Sequence, residues 1–516
     1  MNKQIVKEKV RFDAFLKMAM DNNKIIFPGT LLQRAVRKFP NVCAIIYKDR
    51  KYSYKDLYYH AYRLSKKLSA RGIKKGDKVL LFIKNSIEFY IAYFAAWQVG
   101  AVVIPINTFL TEQELFYIIQ DAQPSLIITT SSSDQLFATS VISRILTEED
   151  IDLDIDISAI IPHLDIPEFL PDELAVLLYT SGTTGNPKGV MLSSKNIMTN
   201  VVQALARMPF EKSQRIFCVL PLFHSFAQNT CIWTAIFSGC TVIVVPKIDR
   251  RAIMHNLIYK PSIFLGVPAL YGLLCLLKTA PLDSVKYFIC GGDALSNKIR
   301  AGFELVYRRK ICNGYGLTET SPLIAVDLDD YTSATSTIGR PVIGIDCQIR
   351  NEQENEVTND EIGTLWVKGD NVMLGYYNAP QETKKVLKNG WFNTGDLVKY
   401  DSNGKLVICG RDKDLIIHKG FNIYPQEIEN IILGYKDVMF VGVIGKKDEQ
   451  FSEVTIAFIQ LRPQAESKNI VQELRDLCLQ KLAPYKVPKQ FIIVDEMPLT
   501  ATKKVDKKEL RKNWFK

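Results

Sequence analysis

From residue 31 to residue 289 the chain alternates helical periodicity with short, branched apolar runs. The runs VLLFI (79–83), SLIITT (125–130), AVLLYT (175–180), IFCVLP (216–221) and TVIVVP (241–246) are continuous rather than alternating. Strands buried on both faces read this way, and the helices between them predict βαβ units and parallel sheets. Between 336 and 409 the texture changes. DCQIRN, GTLWVKG and KLVICG are strand-like pieces divided by Gly, Asn and Asp, which predicts an antiparallel, barrel-like element. The segment GRDKD (410–414) marks a boundary. Beyond it KDVMFVGVIG, SEVTIAFIQL and KQFIIVDEM read as strands, and YPQEIENIIL and NIVQELRDLCLQKL as helices. The expected fold class is α/β. A large multi-lobed domain over 1–410 holds two parallel-type subdomains and the barrel-like element at about 336–409, and a small α+β domain spans 411–516.

Two stretches without Asp, Glu, Lys or Arg, 89–111 and 216–246, test this reading against a membrane span. Both are interrupted by Gly and Pro. EFYIAYFAAWQ reads as a helix, Gly100 as its stop and AVVIPI as a buried strand. The start, MNKQIVKEKVRFDAF, carries charges through any apolar run and does not read as a secretory signal.

Composition adds limits. The 516 residues are 47% hydrophobic and 23% charged, which excludes a disordered or fibrous chain. A net charge of +10 suits anionic small molecules, acidic lipid surfaces or nucleic acid without choosing among them. No basic stripe with interleaved aromatics argues for nucleic acid. The 10 cysteines form no Cys-x-x-Cys pair and the five histidines form no metal spacing. A reducing, cytoplasmic setting is expected, with peripheral membrane contact left open.

The most informative segment is LYTSGTTGNPKGV (178–190). An apolar strand runs into Thr180, Ser181, Gly182, Thr183, Thr184, Gly185 and Lys188. Small residues let backbone N–H groups approach an anion, hydroxyls add donors and the lysine adds charge. It is not a Walker A loop, because Gly189 follows Lys188 where that motif has Ser or Thr. A phosphate cradle and a plain polar turn both fit these residues alone.

Further along the chain come PLFHSF (221–226), GGDAL (291–295), NGYGLTET (313–320), GWFNTGDL (390–397), GRDKDLIIHKGFNIYPQEIE (410–429) and PLTATKKVDKKEL (498–510). Together with YTSGTTGNPKGV, and in this order, they resemble the adenylate-forming superfamily: acyl-CoA synthetases, luciferases and the adenylation domains of peptide synthetases. The resemblance covers nearly the whole chain. It implies ATP, Mg²⁺ and coenzyme A as cofactors, and a carboxylate that attacks the α-phosphorus of ATP to give an acyl adenylate. A thiol then releases AMP.

The resemblance also implies roles. Lys504 is the adenylation lysine. The family usually has glycine before it where this chain has Lys503, a second candidate. Glu319 holds Mg²⁺ and Thr318 donates to the α-phosphate. Tyr315 stacks on adenine beside Gly291, Gly292 and Asp293, in a segment continued by Asn313 and Gly314. Asp396 accepts the ribose hydroxyls, supported by Arg411. His224 borders the carboxylate pocket, with Ser225, Phe226, Gln228 and Trp233 as weaker candidates. Lys413 falls at the hinge of a mobile C-terminal domain, and Gly420, Phe421 and Asn422 line a pantetheine passage. Thr364 stands where the family often has glutamate. NVMLGYYNAPQET and DLIIHKGFNIYPQEIE look most like medium- and long-chain fatty acyl-CoA synthetases. Fatty acid–CoA ligase is the expected activity. The alternatives are transfer to an acyl carrier protein and, in another class, a basic nucleic-acid or membrane binder with a degenerate site.

Overall fold

The computed structural model describes residues 3–137, 142–155, 157, 163–180, 187–277, 279–328, 337–358, 360–418, 421–448, 452–463, 465, 469–500 and 504–514. Two large sheets and one small one carry the fold. In the first, Val102–Pro105, Lys78–Phe82, Leu126–Thr129 and Ser143–Leu146 run parallel, as their unbroken apolar character predicts. Leu174–Thr180 lies parallel to Val102–Pro105. The chain then doubles back as Lys188–Ser193, antiparallel to Leu174–Thr180, with Lys188 opposite Thr180. The phosphate-loop motif therefore joins two strands of a hairpin. A Walker loop would lead from strand to helix.

The second sheet is longer. Cys43–Tyr47, Thr241–Val244, Arg215–Cys218, Ile263–Gly266, Tyr287–Cys290 and Ile311–Gly316 lie side by side in parallel. The last of these changes partner type along its length. Residues 311–313 pair parallel with Tyr287–Cys290, whereas 314–316 pair antiparallel with Leu323–Val326. From there the sheet continues antiparallel through Thr337–Pro341, Leu406–Arg411, Trp391–Tyr400, Gly363–Gly369 and Ile345–Arg350. The strand-like pieces of 336–409 are thus antiparallel as expected. Among the described residues they extend the large sheet and do not close into a barrel, because the strand Thr337–Pro341 is hydrogen-bonded to Leu323–Val326 and carries the ladder onward.

Helix Ile87–Gln98 explains the first uncharged stretch. It is apolar on all sides and buried along its length, as expected of a helix packed within a core. Gly100 ends it at φ +80, and Val102–Pro105 follows as a buried strand. No helix among the described residues is long and apolar enough to cross a membrane.

Helix Ser194–Arg207 is set by a capping box between Ser193 and Asn196. At its far end Arg207 is 2.7 Å from Glu8 of helix Lys3–Met18, both side chains being 3% exposed. Arg207 also donates to the Val326 carbonyl at 3.0 Å. The N-terminal helix is thereby fastened to the strand beside the junction.

After Leu406–Arg411, residues 412–415 lead into a third sheet built of Ile416–His418, Phe421–Ile423, Val438–Asp448, Ser452–Leu461 and Gln490–Ile493. Helices Pro425–Leu433 and Ile470–Lys481 pack on it around an apolar core that contains Ile428, Ile432 and Leu474. The small α+β lobe expected from the sequence is present, with its own core.

Removing one partner of a buried ion pair leaves an uncompensated charge. Glu8→Ala should lower stability by about 3–5 kcal/mol, and Glu8→Met with Arg207→Met should recover most of the loss. Urea unfolding followed by tryptophan fluorescence measures both.

Candidate active site

The site is assembled at the junction of parallel and antiparallel pairing. Strand Ile311–Gly316 ends there, and Thr318–Thr320 forms one turn of 3₁₀ helix. Gly316 is required by sterics, because a Cβ at this position would stand 1.7 Å from the Pro322 carbonyl oxygen. The tight return that results brings Leu317 N–H to that carbonyl at 3.1 Å and turns Thr318 and Glu319 to the cavity.

A net of buried amides fixes this turn. Asn200 accepts from the Leu323 N–H at 3.0 Å and donates to the Leu323 carbonyl at 2.8 Å. Asn229 donates to Asn200 and to the Ser321 carbonyl. Asn371 donates to the Thr320 carbonyl at 2.9 Å, and Met373 N–H to the Glu319 carbonyl at 2.8 Å. These bonds between buried amides and the backbone of the turn rigidify the loop.

One cavity of about 2150 Å³ gathers the described members of the predicted catalytic set. Thr318 Oγ1 lies 3.1 Å from Ser225 Oγ. Tyr376 Oη donates to Glu319 Oε1 at 2.8 Å, and burial pushes the Glu319 carboxyl up from its ordinary value. Half-buried His224 accepts the Phe226 N–H on Nδ1 at 3.3 Å. Burial first, and the Lys504 cation second, pull its pKa down to about 4. The imidazole is therefore neutral at pH 7, and a residue of the small lobe acts electrostatically on one of the large lobe. Lys504 sits in a short loop closed by the Thr500 N–H donating to its carbonyl at 2.7 Å and by its own N–H donating to Thr500 Oγ1.

The residues predicted to meet the nucleotide also line this cavity. Asp396, 3% exposed, accepts from Tyr315 Oη at 2.7 Å and pairs with Arg411 Nε at 2.9 Å. Arg411 and Asp396 are cross-strand partners, so the sheet register itself aligns them. The Tyr315 hydroxyl is pushed up by burial and by Asp396. Gly291 packs against Phe226, with Gly292 (φ +81) and Asp293 beyond it on the cavity wall. Asn313 donates to the Thr337 carbonyl at 3.1 Å, and with Gly314 also lines the cavity. Thr180 and Lys188 line its other end, where Lys188 pairs with Glu382. Lys413 lies on the cavity edge in the connection between the lobes.

Two of the weaker candidates are corrected. Gln228 and Trp233 lie in a π-helical turn, Gln228–Thr234, and both hydrogen-bond Tyr93 in the core. They do not line the cavity. Asn229, Thr230 and Thr234 of the same turn do. Phe421 and Asn422 are exposed outside the cavity, Phe421 stacking on Tyr485 at 4.9 Å. Ser181, Gly182, Thr183, Thr184, Gly185, Gly420 and Lys503 lie outside the described residues. Sequence reasoning missed Tyr376 and Glu382, although both lie in the quoted segment NVMLGYYNAPQET. An acid and a tyrosine beside a glycine turn were the available signal.

Family models match most of the chain: AMP-binding enzyme over residues 32–377 and AMP-binding enzyme C-terminal domain over 427–504. The chain belongs to the AMP-binding enzyme family. It is 32% identical to a long-chain-fatty-acid–CoA ligase of Bacillus subtilis (strain 168), covering 93% of each chain. With a feruloyl-CoA synthase of Amycolatopsis it shares 31% identity over 94% of this chain and 99% of the relative. Among solved structures, ATP-bound MatB from Rhodopseudomonas palustris superposes with a TM-score of 0.85 at 29% identity, covering 94% and 99% of the two chains. An o-succinylbenzoate coenzyme A synthetase from Bacillus subtilis, complexed with ATP and magnesium, gives 0.83 at 25%, covering 93% and 99%. The family chemistry is AMP-forming acid–CoA ligation with ATP, magnesium and coenzyme A.

Magnesium is a hard cation that takes one or two carboxylates together with phosphate oxygens and water. Glu319, half-buried at the cavity wall with one oxygen held by Tyr376, fits that donor set. No cluster of three or more His, Cys, Asp or Glu ligands occurs among the described residues.

Because the folded pKa of His224 is depressed, the unfolded chain takes up its proton first. The stability this residue contributes is fully present above its ordinary value of 6.5 and is lost as pH falls toward 4. Lys504→Ala should raise the His224 pKa while burial keeps it below 6.5. An NMR titration of the imidazole, assigned with His224→Gln, measures this.

Proposed function

We propose that this AMP-forming ligase activates a medium- or long-chain fatty acid and passes it to coenzyme A. The observation that carries the fatty-acid reading is a set of apolar side chains on the wall of the cavity that His224 also lines. Ala204, Met208, Phe210, Val326 and Ile338 contribute to it. Two threonines also line it, but their hydroxyls are engaged within the protein. Thr230 donates to the Phe226 carbonyl at 2.7 Å and Thr234 to Asn229 at 3.4 Å. Their polar atoms are thus already satisfied. A wall of this kind favours a hydrocarbon chain over a second carboxylate or a phenolic ring that needs partners.

In the first half-reaction the acid's carboxylate attacks the α-phosphorus and pyrophosphate leaves. Bringing two anions together calls for fixed cations and donors. Lys504 supplies the ammonium between carboxylate and phosphate, and Thr318 donates to the α-phosphate. Neutral His224 borders the carboxylate without adding charge. Asp396 takes the ribose hydroxyls with Arg411 beside it, and the Tyr315 ring faces the base. Glu319 would hold magnesium, which neutralises phosphate charge when bound.

The second half requires Lys504 to leave. We place the domain boundary at 410/411 and the hinge at Lys413, in the few residues that separate the last strand of the large sheet from the first of the small one. Rotation there would exchange the Lys504 loop for the face carrying Phe421 and Asn422. The thiol then attacks the acyl carbonyl and AMP leaves.

Lys504→Ala should lower acid-dependent ATP–pyrophosphate exchange by a factor of about 100 or more, and change AMP release from supplied acyl-AMP and coenzyme A by less than about threefold. Unimpaired exchange rejects the assignment. Ala204→Phe should reduce kcat/KM for hexadecanoate by roughly tenfold while sparing octanoate. Pyrophosphate release measured over fatty, aromatic and dicarboxylic acids checks the substrate class, and a preference for aromatic acids would overturn it.

A further inference from the structure

Lys188, the cation of the phosphate loop, is already paired. Its Nζ lies 2.6 Å from Glu382 Oε2, with the two side chains 16% and 26% exposed. Glu382 also accepts from Lys385, and all three line the active-site cavity. The Glu382 carboxyl is pulled down to about 2, first by the hydrogen bond from Lys188 and then by that from Lys385. It therefore remains an anion at every working pH.

The surroundings keep this pair close to the magnesium carboxylate. Lys188 Nζ stands over the Tyr376 ring, 5.2 Å from its centroid, and the hydroxyl of that ring donates to Glu319. Glu382 sits in the first turn of helix Pro380–Val386. That helix is bonded to the same tyrosine, since the Tyr376 N–H donates to Thr383 Oγ1 at 2.9 Å. Lys188 and Glu319 thus share one tyrosine, Lys188 over its ring and Glu319 on its hydroxyl.

We propose that Glu382 is a displaceable counter-ion for Lys188 that sets how tightly the polyphosphate is held. A triphosphate takes Lys188 from Glu382 when it binds, and Glu382 takes it back when pyrophosphate departs. A permanently free lysine would bind both anions more tightly and would release the product more slowly. Glu382 is a positioning residue, acting on the phosphates through Lys188. The inference rests on the reading of this cavity as the ATP site.

Glu382→Gln keeps the shape and removes the charge. Calorimetric binding of magnesium-ATP and magnesium-pyrophosphate should tighten by roughly threefold to tenfold for both ligands, because an ion pair no longer has to be broken. In the Lys188→Ala background the same substitution should change neither constant by more than about a factor of two. Glu382→Asp, which keeps the charge, should stay near wild type, and thermal melts establish that each variant is folded. Weaker or unchanged binding in Glu382→Gln overturns the proposal, as does an effect that persists without Lys188. Wild-type protein that binds no ATP would sink the ATP-site reading as well. Wild-type protein that binds ATP, with Glu382→Gln unaltered, sinks only the counter-ion role.

Discussion

A single change of pairing organises the active site. Strand Ile311–Gly316 belongs to a parallel sheet on one side and an antiparallel one on the other. A parallel sheet alone ends in loops at its carboxyl edge. Here the edge continues as antiparallel strands, so Asp396 and Arg411 arrive by register at Tyr315, which itself sits on the junction strand. The glycines of NGYG permit the crossing, and Gly316 in particular tolerates no side chain. Without that junction Asp396 and the Thr318–Glu319 turn would have no common frame.

Around the junction, neutral hydrogen bonds from buried amides add to the ion pair of Arg207 with Glu8. Buried Asn200, Asn229 and Asn371 satisfy carbonyls and N–H groups of the 318–323 turn. The cavity itself is lined by charges of both signs: Arg411, Lys188 and Lys504 with Asp396, Glu382 and Glu319. Amide nets hold geometry without creating fields, whereas cations in a partly enclosed cleft attract the substrate's phosphates.

Much of this was legible in the sequence. The continuous apolar runs gave away the parallel strands, and the texture after residue 336 gave away the antiparallel ones. Motif residues such as Asp396, Tyr315 and Glu319 do converge on one cavity. What stayed hidden depends on directions and distant partners. Gln228 and Trp233 sit in a π-helical turn, which rotates each residue away from the α-helical face that spacing would suggest. The pairing of Lys188 with Glu382 joins residues 194 positions apart, and no local pattern encodes it. Barrel closure likewise depends on which edge finds a partner, and here the edge strand found the large sheet.

The polypeptide passes from the large lobe to the small one once, through residues 412–415, and each lobe keeps its own apolar core. Such a chain is a pair of modules, each with its own interior. Substitutions that reshape the large lobe's interior leave the small lobe's interior untouched, so each can change over evolutionary time without unfolding the other.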